Sequence, residues 1–182
     1  VIITNRTGGI VYSGAYKSSS GTIVPVPEEL LNQLDLKNPL MNMSDPRSAT
    51  QGIVLLSDYP MLVASRPIVR TDFSGEPQGV VIMGRSIDSS EVQRLAQLTR
   101  PSLIFYRVDD PALPSTVLQS IHEKNPDDGS IVQPLNRSII AGYALLKDIY
   151  GRDALILSIS EPRNIYQEGQ MTTLRFILVI LL

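Results

Sequence analysis

Apolar residues in this chain fall in short runs closed by Gly, Pro, Asn or Asp, and only a few stretches space them at a helical period. "VII" (1–3) and "IVY" (10–12) flank "NRTGG", whose Asn and Gly tolerate positive φ, so the pattern predicts a β-hairpin. A polar loop, "SGAYKSSSGT" (13–22), follows. "PEELLNQL" (27–34) puts Leu30, Leu31 and Leu34 on one helix face, with Pro27 at the first helical position and Glu28 and Glu29 where the helix dipole favours anions. Residues 37–52 hold no sustained period and read as a long loop. "GIVLLSDYPMLVASRPIV" (52–69) reads as two strands broken near Asp58-Tyr59-Pro60, "TDFSGEPQG" (71–79) as a turn, and "VVIMGRSI" (80–87) as the returning strand.

Asp88 then caps a helix, with Glu91 three residues on in capping-box position. Val92, Leu95, Ala96 and Leu98 form its apolar side, and Pro101 lies beyond its end. "SLIFYRV" (102–108) is a strand, and "STVLQSIHEKN" (115–125) is a helix carrying Val117, Leu118 and Ile121 on one face. "SIVQPL" (130–135), "RSIIAGYALL" (137–146) and "DALILSIS" (153–160) are three more strands, the last ended by Pro162. Two stretches echo each other. Residues 65–88 and 142–163 each run strand, Asp-x-x-Gly turn, strand and helix start, with Asp72/Gly75 matching Asp148/Gly151. This is either an internal repeat or two ordinary hairpins sharing good turn chemistry. Tight turns join most strands, so the sheet is antiparallel and the class α+β rather than doubly wound.

The chain ends on "FILVILL" (176–182), without one polar side chain. By periodicity this is either a buried strand or the opening of a membrane helix, which needs about 20 apolar residues. Because the chain begins inside a strand with no initiator Met, we expect a fragment of a longer polypeptide.

Composition narrows function mainly by exclusion. The 182 residues are 43% hydrophobic and 19% charged, which suits one globular domain with a real core. A net charge of −2 leaves no basic field for nucleic acid. The absence of cysteine removes disulfides, thiol redox chemistry and thiolate metal sites. His122 is the only histidine, and Pro126 stands where a zinc-binding helix would place the second one, so His122 reads as a solvated helix residue. The pairs Asp109-Asp110 and Asp127-Asp128 sit beside Pro or Gly and read as turn caps. No glycine-rich phosphate cradle, Walker lysine or Gly-x-Ser-x-Gly elbow is present, and no catalytic site or cofactor is expected.

Arg66, Arg70 and Arg85 lie in or beside apolar strands, and Tyr59, Tyr106 and Tyr143 near strand ends. Strand alternation sets Arg66 on the same face as Leu62 and Ala64. Such an arginine either snorkels to an edge or lends charge to a pocket. The pocket reading makes Tyr59, Arg66, Arg85, Tyr106 and Tyr143 candidate contacts for an anion or small acid.

"VIITNRTGGIVYSGAY", "VPEELLNQL", "LVASRPIVRTDFSGEPQGVVIMGRSID" and "GYALLKDIYGRDALILSISEPRNIYQEG" together resemble a CHASE domain (cyclase/histidine-kinase-associated sensory extracellular) of the fourth subclass. The resemblance spans nearly the whole chain and rests on packing and turn positions: Arg66-Pro67-Ile68, Gly79, Gly84-Arg85, Asp148, Gly151 and Pro162-Arg163. It implies a PAS- or Cache-like fold, an antiparallel sheet with flanking helices, in an extracytoplasmic sensor domain over residues 1–163. Such domains belong to histidine kinases, diguanylate cyclases or chemoreceptors, and this chain lacks the long N-terminal helix leading out of a first span. Residues 164–182 would then be a helix entering a truncated transmembrane segment, with Arg175 the last charge at the interface. The implied partners are an unknown small molecule or protein ligand, the membrane, and a second copy in the full receptor. The alternative is a membrane-tethered interaction or dimerisation module without a small ligand.

Overall fold

Alternating burial organises the first half of the chain, and a helix packed on a second sheet organises the rest. The computed structural model describes residues 1–17, 21–99, 102–124 and 129–163. They form two compact units, Val1–Ser89 with Lys147–Arg152, and Ser90–Leu146 with the described residues from Asp153 onward.

In the first unit β1 (Ile2–Asn5) and β2 (Ile10–Ser13) make the expected hairpin. Asn5 Oδ1 accepts from the amides of Thr7 (3.0 Å) and Gly9 (2.7 Å), which closes the turn. Ile3 opposes Tyr12 and Thr4 opposes Ile10, so Val11 is an extra residue that bulges from β2. The expected polar loop instead contains a small hairpin, β3 (Ala15–Lys17) and β4 (Thr22–Val24). Its pairing of Tyr16 with Ile23 was hidden by the surrounding Ser and Gly. The helix α1 (Glu28–Gln33) starts one residue later than expected. Pro27 has an extended ψ of 127° and is the residue before the helix, not its first member. A 3-10 turn, Pro39–Met41, lies inside the expected long loop and buries Leu40 and Met41. Asn38 caps it, its Oδ1 accepting from the Leu40 amide at 2.9 Å.

β5 (Thr50–Leu55), β6 (Pro60–Pro67) and β7 (Gly79–Ser86) complete a sheet ordered β2-β1-β7-β6-β5, antiparallel throughout. In β6, Met61, Val63, Ser65 and Pro67 are buried while Leu62, Ala64 and Arg66 are exposed. The buried side, with Ile2, Val54, Val80 and Ile82, packs against Val26, Leu30, Leu40 and Met41. The chain then enters the second unit through α2 (Ser89–Thr99), which follows Asp88 as expected. The Arg94 guanidinium donates to both oxygens of Glu91, at 2.6 and 2.9 Å. Val92, Leu95 and Ala96 are half-buried, but Leu98 is exposed and does not join them.

The second sheet is built from β8 (Ser102–Arg107), β9 (Ser130–Pro134), β10 (Ile139–Lys147) and β11 (Asp153–Pro162), in the order β8-β11-β10-β9. The helix α3 (Ser115–Lys124) buries Val117 and Ile121 against Leu113, Ile131, Ala141, Tyr143 and Ile156. Without β2, the first sheet runs first, fourth, third, second in chain order, and so does the second sheet. Each has a helix between its first and second strands, and each closes its last hairpin with an Asp-x-x-Gly turn. The echo read in the sequence coincides with a shared strand order. The class is α+β, mostly antiparallel sheet with few helices. The expected C-terminal helix, its membrane-entering run and Asp127-Asp128 lie outside the described residues. Among those described, no helix is long and apolar enough to cross a membrane.

Two substitutions probe how the first sheet is held. A Cβ on Gly79 would lie 1.8 Å from the Thr4 carbonyl oxygen, so Gly79→Ala forces β1 away from β7. Ile82→Ala empties a site 1% exposed and costs about 2–5 kcal/mol, whereas Leu62→Ala on the opposite face stays within roughly 0.5 kcal/mol. Urea unfolding of the three variants ranks them. Gly79→Ala is expected to lose at least as much as Ile82→Ala.

Candidate functional site

The outward face of the five-stranded sheet is set by register. Leu62 opposes Arg85, Ala64 opposes Met83, and Arg66 opposes Val81, which in turn opposes Ile3. The charged strand residues on this face are Arg66 and Arg85, both exposed. Between them stand Leu62, Ala64, Val81 and Met83, the last 59% exposed. An apolar surface weakens the competition of water, and a guanidinium offers a planar fork that matches a carboxylate. This face therefore has the chemistry to hold an organic anion that also carries apolar surface.

The remaining candidates lie elsewhere. Tyr59, in the turn between β5 and β6, packs against the inward core and is not grouped with the arginines. Tyr143 was expected near a strand end. It sits mid-β10, buried under α3, because its position in the alternation points it at Val117 and Ile121. Tyr106 is half-buried against the same cluster. The structure thus sets Arg66 and Arg85 on one face, four residues apart along the strands, and places Tyr106 and Tyr143 at one apolar cluster. His122 is exposed on α3, with Nε2 3.0 Å from Asp153 Oδ2, tying the helix to the start of β11. Asp110 Oδ1 accepts from the Ala112 amide at 2.8 Å, the turn-capping role read in the sequence. Among the described residues no group of His, Asp and Glu is arranged to hold a metal.

Sequence reasoning treated Asp148 only as a turn position, yet it organises a dense polar network in the first unit. Its side chain is 3% exposed. Oδ1 accepts from the amides of Tyr150 (2.8 Å) and Arg152 (2.9 Å). Oδ2 accepts from Arg152 Nε (2.8 Å) and Nη2 (2.7 Å). The Arg152 guanidinium lies 4.9 Å over the Tyr150 ring, and the Tyr150 hydroxyl accepts from Asn38 Nδ2 at 2.8 Å. Asn38 is itself buried, its Nδ2 also donating to the Gln33 carbonyl at 2.7 Å. Burial pushes the Asp148 carboxyl up. The bonds from the Arg152 amide and guanidinium, the Tyr150 amide and the Arg152 charge outweigh it, and the net pKa falls below the ordinary 3.8. A sequence signal did exist: four residues after the turn aspartate stands Arg152, where the matching hairpin has Glu76.

Three comparisons relate this chain to known proteins. The family model of the CHASE4 domain matches residues 1–106. The methanogenesis regulatory histidine kinase FilI of Methanothrix harundinacea is 29% identical over all 182 residues, and the chain spans 20% of that relative's length. A crystal structure of the extracellular domain of the histidine kinase vpHK1S-Z8 is 13% identical with a TM-score of 0.45, over 93% of this chain and 70% of that one.

Asp148 has a measurable pH signature. Its folded pKa is depressed, so its stabilisation is complete well above 3.8 and is lost as pH falls through the lower folded value. Asp148→Asn keeps an acceptor for the two amides but turns an amide NH2 toward Arg152 Nε and Nη2. We expect it to lose roughly 1.5–3 kcal/mol at pH 7 and to flatten the acid limb of the stability curve below about pH 4. Chemical denaturation between pH 2.5 and 7 measures both, and an unchanged acid limb would count against the assigned network.

Proposed function

The chain belongs to the CHASE4 domain family, and from that premise we propose that it is the extracytoplasmic ligand-sensing domain of a membrane-bound histidine-kinase receptor. The family is one of sensory domains, not catalytic ones. The observation that carries the receptor reading is the match to a histidine kinase over the full length of this chain. The segment 164–182, ending in an apolar run, enters the membrane and carries the output in this reading, and the full receptor acts as a homodimer. The ligand is a small organic acid whose anionic groups meet Arg66 and Arg85, at the two ends of this face, and whose apolar part lies on Leu62 and Met83. It acts by binding one arrangement of the domain better than another, since a ligand indifferent to the two shifts nothing.

One observation favours a second reading, an interaction module with no small ligand. The exposed face of the first sheet carries apolar surface beside its arginines, with Tyr12, Leu62 and Met83 all open to solvent. A second copy presenting the same face would set arginine against arginine. A partner bringing carboxylates fits that face better than self-association does.

The two readings separate in one screen. Thermal unfolding of the purified chain is followed with small mono- and dicarboxylates. At a hundredfold excess over its Kd, a true ligand is expected to raise Tm by roughly 5–10 °C, and Arg66→Ala with Arg85→Ala to abolish the shift. If no acid moves Tm, or if the shift survives in the double variant, the small-acid assignment fails and the interaction reading gains.

A further inference from the structure

Three stretches of this chain follow Asn-x-Ser/Thr with no proline in the middle: Asn5-Arg6-Thr7, Asn42-Met43-Ser44 and Asn136-Arg137-Ser138. That is the acceptor pattern for N-linked glycans, in which the asparagine amide nitrogen takes the sugar. All three asparagines, and the hydroxyl residue of each, stand at exposed loop positions. Each asparagine Oδ1 accepts from the amide two residues on, at 3.0 Å from Thr7, 3.0 Å from Ser44 and 2.8 Å from Ser138. Thr7 and Ser44 add their hydroxyls, at 2.9 and 2.7 Å. The nitrogen is left over: among the described residues, none accepts a hydrogen bond from Nδ2 of Asn5, Asn42 or Asn136.

Turn chemistry alone explains the asparagines but not the hydroxyls. Asp35, Asp45, Asp110 and Asp148 close turns through the same bond to the amide two residues on. The residues at that place are Lys37, Arg47, Ala112 and Tyr150, so the bond asks for no particular side chain there. The aspartate turn with a hydroxyl is Asp72, followed by Ser74. Asn38 makes the same turn with Leu40, but it is buried, and its Nδ2 is used on the Gln33 carbonyl and the Tyr150 hydroxyl. Among the described residues, the exposed asparagines that close such turns all have Ser or Thr two places on.

We propose that Asn5, Asn42 and Asn136 carry N-linked glycans. The inference rests on the extracytoplasmic reading, because the transferase and its lipid-linked donor act on the side of the membrane away from the cytoplasm. The transfer forms a bond from Nδ2 to the anomeric carbon of an oligosaccharide carried on a lipid phosphate. The carbon–oxygen bond to that phosphate breaks, the lipid phosphate leaves with the electron pair, and the amide proton passes to a base of the transferase. Two of the positions also meet a need of the fold. Asn5 and Asn136 lie in the tips of the hairpins β1–β2 and β9–β10, and β2 and β9 are end strands of their sheets. Neither strand carries a charged side chain, and Val11 and Val132 are exposed. Uncharged edges invite pairing with another chain, and a bulky, hydrated glycan at the tip obstructs it.

The test is mass spectrometry of the full-length receptor, purified from the membranes of the cells that make it. Trypsin places the three asparagines in separate peptides, ending at Arg6, Arg47 and Arg137. Each peptide is expected to carry an added mass that fragments as sugar. Asn5→Asp keeps the turn's acceptor oxygen but removes the nitrogen, and Thr7→Ala keeps the asparagine but removes the hydroxyl. Either change is expected to strip the first peptide alone. Asn42→Asp or Ser44→Ala strips the second, and Asn136→Asp or Ser138→Ala the third. The proposal is overturned for any position whose peptide is bare in the parent protein, or whose added mass survives both of its variants. A second measurement separates this from the location of the domain. Ser74→Cys puts a thiol on an exposed turn of a chain that has no cysteine, and a maleimide that cannot cross the membrane is added to intact cells. A labelled cysteine with bare asparagines rejects the glycans and leaves the extracytoplasmic reading standing. An unlabelled cysteine rejects that reading, and the glycans with it.

Discussion

The commitment of β6 and β7 to one dry face governs the first unit. Val63, Val80 and Ile82 must point inward to meet Leu30, Leu40 and Met41, and side chains along a strand alternate without exception unless a bulge intervenes. Once those residues are inside, Leu62, Ala64, Arg66, Met83 and Arg85 have no choice but to be outside. A one-residue slip would bury the guanidinium groups of Arg66 and Arg85, at a cost far above what the exchanged apolar residues return. Thr4 reinforces the register from the neighbouring strand. Its buried Oγ1 accepts from the Val80 amide at 3.2 Å, and its carbonyl oxygen approaches Gly79 so closely that no side chain fits. The exposed, arginine-bearing face is thus a consequence of the core beneath it.

The same strand order, used twice, explains the economy of the fold and where it departs from economy. Both copies close their last hairpin with an aspartate that caps its own turn. In the first copy that carboxylate is solvated and asks nothing of its neighbours. In the second it is buried, and a buried carboxylate is tolerable only when nearly every lone pair has a donor. Arg152 supplies two of the four bonds and the backbone the other two. The replacement of a glutamate by an arginine four residues past the aspartate separates a free tip from an anchored one.

Much of this was legible in the sequence because it is local. Alternation placed Arg66 outward with Leu62 and Ala64, and tight turns marked the hairpins β1–β2, β6–β7 and β10–β11. The helix faces of Val117 and Ile121 followed from their spacing. What was hidden depends on partners far along the chain. Asn38 and Tyr150 are 112 residues apart, and nothing near either announces the other. Tyr143 read as lying near a strand end and as a candidate ligand contact, but the apolar body of the ring decided its place in the core. The β3–β4 hairpin was obscured by composition: Ser, Gly and Lys dominate the stretch, while the pairing is fixed by only three residue pairs.

The ties of the 147–152 tip within the first unit are few. The Tyr150 hydroxyl accepts from Asn38, the Ile149 amide donates to the Ile53 carbonyl, and the Ile149 side chain packs on the inward core, each net hydrogen bond being worth about 0.5–1.5 kcal/mol. Arg152 is 72% exposed, and water competes for its guanidinium. What the Asp148–Arg152 pair contributes is therefore less a net attraction than the satisfaction of a buried carboxylate, which would otherwise be costly in that place.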